Sequence, residues 1–207
     1  MLELANVSAS LAGKPLFGPL NITVEPGEIV TLMGPSGCGK STLLSWICGT
    51  LEGPFLFEGQ VRLSGEDLIP LATEKRRVGI LFQDDLLFPH LSVGDNLAFG
   101  LSPSVAGRKA RRQRIAEALA EAGLEGFEDR HVDTLSGGQK ARISLLRTLL
   151  SEPRALLLDE PFSSLDVDLR QKFRELVFSK AKASALPVIL VTHDPSDAPE
   201  HGRILQL

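Results

Sequence analysis

The sequence predicts an α/β fold with a parallel sheet, because four short apolar runs recur along the chain and polar residues follow each of them. The runs span residues 29–33, 78–82, 155–158 and 188–191. Continuous β-branched and aliphatic runs of this length suit strands that helices cover on both faces. The carboxyl ends of such strands form the ligand-binding edge of an open α/β sheet. The polar residues after the runs therefore define a candidate site.

Length and composition favour one continuous domain over residues 1–207. The chain has a formal net charge of −4, and its 43% hydrophobic and 23% charged residues are typical of a soluble chain with a real core. No repeat or linker divides it, and no apolar run approaches the roughly 18 residues that span a bilayer. The N-terminus lacks the layout of a secretory signal. Two cysteines, Cys38 and Cys48, favour a reducing compartment over a disulfide.

A basic and then Ala/Glu/Leu-rich stretch, residues 103–130, predicts a helix. Ile115, Ala118 and Leu119 recur at helical spacing, and Gly123 is a natural stop. The cations at its start suit either a solvated helix face or a nucleic-acid patch. The acidic net charge and the lack of interleaved aromatic residues favour the solvated face, so we expect no nucleic-acid partner.

Residues 34–42 match the phosphate-loop pattern G-x-x-x-x-G-K-[ST], between an apolar strand and the helical run 42–48. Glycines let successive backbone N–H groups converge on phosphate oxygens, and the helix N-terminus adds partial positive charge. We expect Lys40 to neutralise the β- and γ-phosphates of a nucleotide and the Ser41 hydroxyl to bind Mg²⁺. The predicted nucleotide-binding residues of this loop are Gly34, Pro35, Ser36, Gly37, Cys38, Gly39, Lys40, Ser41 and Thr42.

Two carboxylates and a histidine follow later strands. Asp159 and Glu160 come directly after an apolar run; in a P-loop nucleotidase the first would hold Mg²⁺ and the second would polarise the attacking water. His193 follows the run 188–191, from where it could reach the γ-phosphate. Adjacent carboxylates can equally form a surface turn, and a lone histidine is usually structural. The catalytic interpretation therefore depends on the phosphate loop.

A second anion-binding pattern, Leu-Ser-Gly-Gly-Gln, occupies residues 135–139. Ser136 is a natural N-cap of the helical run that follows. Gly137 and Gly138 leave backbone N–H groups uncovered at that helix N-terminus. Since the chain already holds a complete phosphate loop, a second anion site needs a separate explanation.

With this second pattern the chain resembles the ATP-binding subunits of ABC transporters over nearly its whole length. The motifs stand in the family's order. The phosphate loop matches Walker A, Gln83 the Q-loop, residues 135–139 the signature, residues 155–159 the Walker B strand, residues 163–166 the D-loop and His193 the switch histidine.

The resemblance implies a P-loop NTPase of the ABC-ATPase type, with an N-terminal antiparallel β subdomain and an inserted helical arm, approximately residues 84–150, that carries the signature. It implies two ATP molecules held in a head-to-tail dimer of two copies. By position, it implies catalytic roles for Glu160, His193, Gln83 and Lys40. It implies ATP contacts from Ser136, Gly137, Gly138, Gln139 and Asp166, and Mg²⁺ ligands at Ser41, Gln83 and Asp159.

Residues 82–97 are similar to bacterial importers for polyamines, ferric iron, sulfate, thiamine and sugars, and the chain is most similar to an uncharacterised Ynj-type importer. In such systems this segment and the arm receive the coupling helix of a permease. The resemblance implies two permease subunits or domains, an extracytoplasmic solute-binding protein and a cytoplasmic location on the inner face of the membrane. Four apolar residues would then bury against the permease or, alternatively, in the arm's own core: Leu86, Leu87, Phe88 and Leu91.

Two departures from the family pattern bear on ATP binding and regulation. Leu11 stands where the family commonly has an aromatic residue against adenine, and the chain has no tyrosine. Phe17 is the candidate substitute. Residues 201–207 alone follow the switch region, so we expect no C-terminal regulatory domain.

Three other functions stay open. An ABC exporter ATPase is disfavoured only by the segment after Gln83. A soluble ABC ATPase that acts on DNA or ribosomes generally has two ATPase domains or a long coiled coil, and this sequence shows neither. A small-molecule P-loop kinase would leave residues 135–139 and the D-loop without a purpose.

Overall fold

The computed structural model describes residues 1–163 and 165–207, and this part of the chain divides into two compact units. Unit 1 comprises residues 1–80, 154–160 and 178–207, and unit 2 comprises residues 81–153 and 161–177. Of the predicted D-loop, Ser164 lies outside the described residues. The single domain with a helical arm at about 84–150 stays a prediction.

In the described residues, nine strands form two sheets. An antiparallel sheet has the order β2-β1-β4-β5, and a second sheet has the order β6-β7-β8-β3-β9. In the second sheet β3 pairs in parallel with β8 and β9, and β7 pairs in parallel with β8. The strands are β1 Leu2–Leu11, β2 Lys14–Val24, β3 Ile29–Met33, β4 Phe55–Leu63, β5 Glu66–Asp67, β6 Val78–Leu81, β7 Ala155–Asp159, β8 Val188–Val191 and β9 Arg203–Gln206.

The predicted fold class is confirmed. All four apolar runs form strands of the second sheet, and the N-terminal antiparallel sheet that the resemblance implied is present. The runs at 29–33 and 188–191 match β3 and β8 to the residue. These strands are almost fully buried, which is why their apolar character is continuous and not alternating.

The helices follow the predicted pattern with one shift. The loop helix α1 begins at residue 40, two residues before the predicted run, because the last three residues of the phosphate-loop motif form its first turn. The helix predicted within 103–130 ends at residue 121, and Gly123 follows with a φ of 67°. No helix of the described residues combines the length and apolar character needed to cross a membrane. The helices are α1 Lys40–Cys48, α2 Thr73–Arg76, α3 Val93–Gly100, α4 Arg108–Glu121, α5 Gly137–Leu150 and α6 Val167–Ala183.

The core of unit 1 surrounds α1. Leu43, Leu44 and Ile47 of this helix are fully buried in one cluster with residues of both sheets, including Val30 and Leu32 of β3. Each such side chain contributes about 1.5–3 kcal/mol through burial. Because β3 and α1 are both fixed in this core, the loop between them has two rigid ends.

The core of unit 2 is helical. Leu97 of α3, Leu119 of α4 and Ile143 of α5 are fully buried in one cluster. Leu146 of α5 belongs to the same cluster and is almost fully buried. This packing fixes α5, whose N-terminus carries the signature residues.

Arg76 closes the C-terminal end of α1. Its guanidinium is almost fully buried and donates to the carbonyls of Trp46 and Ile47, in the last turn of α1, at 2.7 and 2.9 Å. It also donates to the carbonyls of Leu71 and Ile69. Carbonyls of a last helical turn lack partners within the helix. The Trp46 carbonyl also accepts from the Gly49 N–H at 3.2 Å, so Arg76 adds a second donor there and supplies a donor to the Ile47 carbonyl. Burial lowers the pKa of Arg76.

We predict that Arg76→Met lowers the free energy of unfolding by about 3 kcal/mol, because the buried carbonyls lose their donors. For a chain of this size the melting temperature should fall by roughly 6–12 °C, which thermal unfolding measures. The control is Arg62→Met at an exposed position of β4, where a change below about 0.5 kcal/mol is expected. Equal losses for both variants would contradict this role of Arg76.

Candidate nucleotide-binding site

The phosphate loop connects β3 to α1, and Lys40 folds back over it. The Lys40 ammonium donates to the carbonyls of Gly34 and Pro35 at 2.8 and 2.9 Å, and it lies 3.7 Å from the Cys38 sulfur. The N-terminus of α1 has no side-chain cap. Uncapped helical N–H groups beside an ammonium form a local site for an anion.

An aromatic side chain packs against the last glycine of the loop. Gly39 has a left-handed φ of 99°, and a Cβ built on it would lie 3.0 Å from two ring carbons of Phe17. The Phe17 ring meets Phe57 edge-on at 6.0 Å, and Phe57 stacks on Trp46 of α1 at 4.5 Å. Leu11, half-buried at the end of β1, pairs with its cross-strand neighbours. The aromatic residue at the loop is thus Phe17.

Ser41 and Asp159 meet in unit 1. The Ser41 hydroxyl donates to Asp159 Oδ1 at 2.9 Å, and Asp159 is 9% exposed. Burial raises the pKa of Asp159, and the hydrogen bond from Ser41 opposes this rise. A hydroxyl and a carboxylate oxygen side by side fit Mg²⁺, which prefers oxygen ligands. Among residues 1–163 and 165–207 there is no group of three or more His, Cys, Asp or Glu side chains that could hold a metal. A Mg²⁺ ion here would therefore need further ligands besides Ser41 and Asp159.

Glu160 and His193 form a contact at the carboxyl ends of neighbouring strands. Glu160 Oε2 lies 2.8 Å from His193 Nδ1. The Glu160 side chain is 18% exposed and the His193 side chain 69% exposed. Glu160 has a φ of 48°, an unfavourable value for a residue with a side chain, and its N–H donates to the carbonyl of Val191. Because β7 and β8 are parallel neighbours, residues that follow them reach the same edge of the sheet.

The signature residues begin α5 in unit 2. Ser136 caps the helix: its Oγ accepts from the Gln139 N–H, and Gln139 Oε1 accepts from the Ser136 N–H at 2.9 Å. The Gln139 side chain is therefore engaged within its own turn. Gly138 is buried, because a Cβ there would lie 1.9 Å from Leu169. Ser136 and Gly137 are exposed.

The two other predicted site residues of unit 2 are exposed as well. Gln83 follows β6, and Asp166 precedes α6. Asp166 Oδ1 accepts from the N–H of Leu169, so its carboxylate caps the first turn of α6. The predicted site residues thus fall into two groups. Unit 1 holds the phosphate loop, Asp159, Glu160 and His193. Unit 2 holds Gln83, the signature residues and Asp166.

Unit 2 carries an apolar patch, which we define as Leu86, Phe88 and Phe99. Leu86 is 57% exposed and Phe99 73% exposed, and the rings of Phe88 and Phe99 meet edge-on at 4.8 Å. Leu87 instead packs against the core of the unit, and Leu91 is half-buried. The sequence did not identify Phe99, because a single phenylalanine in a helix has no pattern that separates surface from core.

Comparison with known proteins places these features in context. The ABC transporter family profile matches residues 17–163. The chain is 51% identical to the "Uncharacterized ABC transporter ATP-binding protein YnjD" of Escherichia coli (strain K12), over the whole chain and 95% of that protein. It is 43% identical to the "Fe(3+) ions import ATP-binding protein FbpC" of Escherichia coli O157:H7, over 95% of the chain. It is 41% identical to the "Spermidine/putrescine import ATP-binding protein PotA" of Mesoplasma florum, over 96% of the chain.

The chain spans 56% of the length of each of the two import proteins. Among solved structures it is similar to a dimeric post-hydrolysis state of the ATP-binding cassette MJ0796 bound to ADP and Pi. The TM-score is 0.84 at 32% identity, over the whole chain and 94% of that structure.

We predict that Asp159→Asn stabilises the protein in the absence of nucleotide and Mg²⁺. The amide still accepts from Ser41 but no longer carries a desolvated charge. A higher melting temperature than that of the parent is expected near pH 7 in thermal unfolding. Since the folded-state pKa of Asp159 is raised, the ionised group costs stability above that pKa. The gain should therefore disappear as the pH falls towards the ordinary value of 3.8.

The same variant should lose most of its Mg²⁺-dependent affinity for ATP in calorimetric titrations. The control is Asp197→Asn, a buried carboxylate that accepts from Thr192 and should leave the Mg²⁺ dependence unchanged. If the ATP affinity of Asp159→Asn depends on Mg²⁺ as that of the parent does, Asp159 is not a Mg²⁺ ligand.

Proposed function

Because this chain belongs to the ABC transporter family of ATP-binding proteins, we propose that it hydrolyses ATP to power solute uptake through a membrane permease. The observation that carries the proposal is the group of side chains in unit 1 around the phosphate loop. Lys40 covers the loop, Ser41 meets Asp159, and Glu160 meets His193. This set provides phosphate binding, a metal site and a general base.

The phosphates would bind to the N–H groups of residues 34–42 and to the ammonium of Lys40. That ammonium is bound to two carbonyls of the loop, so it is already positioned over the place where charge must be neutralised. Ser41 and Asp159 would hold Mg²⁺, with Gln83 as the proposed third ligand. The ion, when bound, neutralises charge on the β- and γ-phosphates.

Glu160 is the proposed general base. Its carboxylate orients a water molecule and accepts its proton as the water oxygen attacks the γ-phosphorus. His193 Nδ1 lies at hydrogen-bond distance from the same carboxylate, so it fixes the orientation of Glu160 and senses the γ-phosphate. The Glu160 side chain is only 18% exposed, which limits competing water molecules at the carboxylate.

A second copy would complete each ATP site. Ser136 and Gly137 are exposed at the N-terminus of the 14-residue helix α5, where N–H groups favour an anion. In the proposed head-to-tail dimer these residues, with Gly138, Gln139 and Asp166, contact the γ-phosphate held by the other copy. The similar MJ0796 cassette is a dimer in its ADP- and Pi-bound state, which supports this arrangement. ATP then favours the closed dimer because both copies bind it.

The apolar patch of unit 2 is the proposed docking surface for the permease. An exposed leucine and phenylalanine in the unit that also holds Gln83 are unfavourable in water, and their burial against a partner is favourable. Two permease subunits or domains and an extracytoplasmic solute-binding protein complete the proposed system, which places this chain on the cytoplasmic face of the membrane. The names of the Fe(3+) and spermidine/putrescine relatives support uptake over export.

We predict that Glu160→Gln retains ATP binding but lowers the hydrolysis rate about 10²–10⁴-fold, because the general base is lost. ATP and Mg²⁺ should then trap a nucleotide-bound dimer, which light scattering coupled to size exclusion detects.

The control is Glu58→Gln, at an exposed position of β4, which should hydrolyse ATP at the parent rate. Unchanged turnover in Glu160→Gln would show that Glu160 is not the general base. If the variant binds ATP but remains monomeric, the proposed dimer is wrong.

We predict that Phe17→Ala weakens ATP binding at least about fivefold, because stacking of a base on an aromatic ring contributes about 1–3 kcal/mol. Leu11→Ala should leave the affinity nearly unchanged. Phe17→Leu separates the effects, since it keeps apolar packing against Gly39 but removes the ring. Calorimetric titration measures all three variants, and unchanged affinity in both Phe17 variants would rule out adenine stacking at this position.

A further inference from the structure

The start of α4 concentrates positive charge that the proposed function does not use. Residues 108–114 hold five lysines and arginines in a chain whose net charge is −4. Four of the five are exposed, and these four side chains form no ion pair or hydrogen bond with residues 1–163 and 165–207. We define these four as the basic patch: Arg108, Lys109, Arg112 and Arg114. A local excess of positive charge attracts an anionic partner.

The basic patch begins at the end of the helix where positive charge is least favourable. The N-cap of α4 is Gly107, which has no side chain to bind the first N–H groups, and the first turn has no acidic residue. These N–H groups give a helix N-terminus a partial positive charge, so acidic side chains are stabilising there and basic ones destabilising. The arrangement is therefore unfavourable in the free protein, and an anion bound from outside would reduce the repulsion.

A concave surface lies within the basic patch. Arg108, Lys109 and Arg112 line a cavity of about 380 Å³. Guanidinium groups bind phosphate oxygens through pairs of hydrogen bonds, so two arginines and a lysine around one cavity suit a phosphate group. A second cavity, of about 800 Å³, shares the two arginines but also has three acidic residues in its wall: Asp95, Glu128 and Asp129. Phosphate is thus favoured in the smaller cavity and disfavoured beside the acidic wall.

The basic patch lies beside the apolar patch of the same unit. The half-buried Arg111 donates to the carbonyl of Ala98 at 2.7 Å, which joins the first turn of α4 to the last turn of α3. The next residue of α3 is Phe99, which is 73% exposed and meets the ring of Phe88 edge-on. Exposed aromatic and aliphatic side chains together with lysines and arginines are typical of surfaces that bind at the headgroup layer of a membrane.

A lipid surface fits this combination better than a nucleic acid does. Lipid headgroups move independently within a bilayer, so a phosphate can enter the cationic cavity while others avoid the acidic wall. The phosphates of a nucleic acid have a fixed spacing, and four cations neutralise only a short stretch of it. The exposed apolar side chains next to the basic patch gain nothing from a phosphodiester backbone, whereas a membrane or its proteins can cover them.

We propose that the basic patch binds anionic membrane lipids, with the phosphate of one headgroup in the cavity lined by Arg108, Lys109 and Arg112. The inference rests on the proposed function for its setting, because docking of the neighbouring apolar patch on a permease would bring this surface to the membrane. The contact itself needs no nucleotide, since the basic patch contains none of the predicted ATP-binding residues.

The test measures binding of the full chain to lipid vesicles at low ionic strength and without ATP. One kind of vesicle contains only zwitterionic phosphatidylcholine, and in the other a third of the lipid is anionic phosphatidylglycerol. Co-sedimentation should show at least about tenfold tighter binding to the anionic vesicles. Raising the salt concentration to about 0.5 M should remove this preference, because the screening length falls below about 5 Å.

The variant Arg108→Gln/Lys109→Gln/Arg112→Gln should reduce the preference for anionic vesicles below about twofold, since each cation near such a surface contributes about fivefold in affinity. Its melting temperature should not fall, because the substitutions remove repulsion at the start of α4. The matched control is Lys14→Gln/Arg62→Gln/Lys75→Gln, which changes the net charge equally at exposed positions of unit 1. This control should keep the preference of the parent.

Equal binding of the parent to both kinds of vesicle would overturn the inference, as would an anionic preference that the α4 variant keeps. An equal loss in the control variant would overturn it too, because net charge and not the basic patch would then govern binding. Tighter binding to a duplex oligonucleotide than to anionic vesicles, at equal phosphate concentration, would assign the surface to nucleic acid instead. A chain that prefers anionic vesicles but hydrolyses no ATP would contradict only the proposed function.

Discussion

In the proposed function, the neutralisation of phosphate charge at the start of α1 is the constraint on which the rest of unit 1 depends. A triphosphate needs convergent N–H groups and an ammonium, and these must be fixed before the ligand arrives. The fold meets this need by packing α1 against side chains of both sheets. Arg76 donates hydrogen bonds to carbonyls at the C-terminal end of α1. The bonds from Lys40 to the carbonyls of the loop hold the ammonium over the same place.

The edge of the parallel sheet then brings the acidic residues to the loop. Ser41 meets Asp159 across 118 positions in sequence, and Glu160 meets His193 across 33. Parallel pairing makes these contacts possible, since it aligns the carboxyl ends of strands that are distant in sequence. Burial raises the pKa of the Asp159 carboxyl at this edge, and the hydrogen bond from Ser41 opposes the rise.

Unit 2 uses a helix for two purposes at once. The first turn of α5 presents Ser136 and Gly137 to solvent, and a later turn holds the exposed segment of Leu86 through Arg147. The sequence predicted the anion-binding residues of the first turn. It did not predict the contact between Arg147 and Leu86, because long-range hydrogen bonds to backbone carbonyls leave no sequence motif. It left open whether Leu86, Leu87 and Leu91 face a partner or the core of the arm. The packing of Leu87 into the helical core shows that neighbouring apolar residues can face opposite ways.

The amino-acid sequence alone determined four of the five strands of the second sheet, the phosphate loop, the N-cap at Ser136 and the end of the basic helix. These features are local, since each depends on residue types within one or two turns or on a continuous apolar run. Only the tertiary structure decided that Phe17 packs on Gly39 and that Phe99 is exposed. It also decided that Arg147 donates a hydrogen bond to the carbonyl of Leu86, in the segment after Gln83. Such contacts join residues far apart in the chain, and their partners are set by how the elements pack.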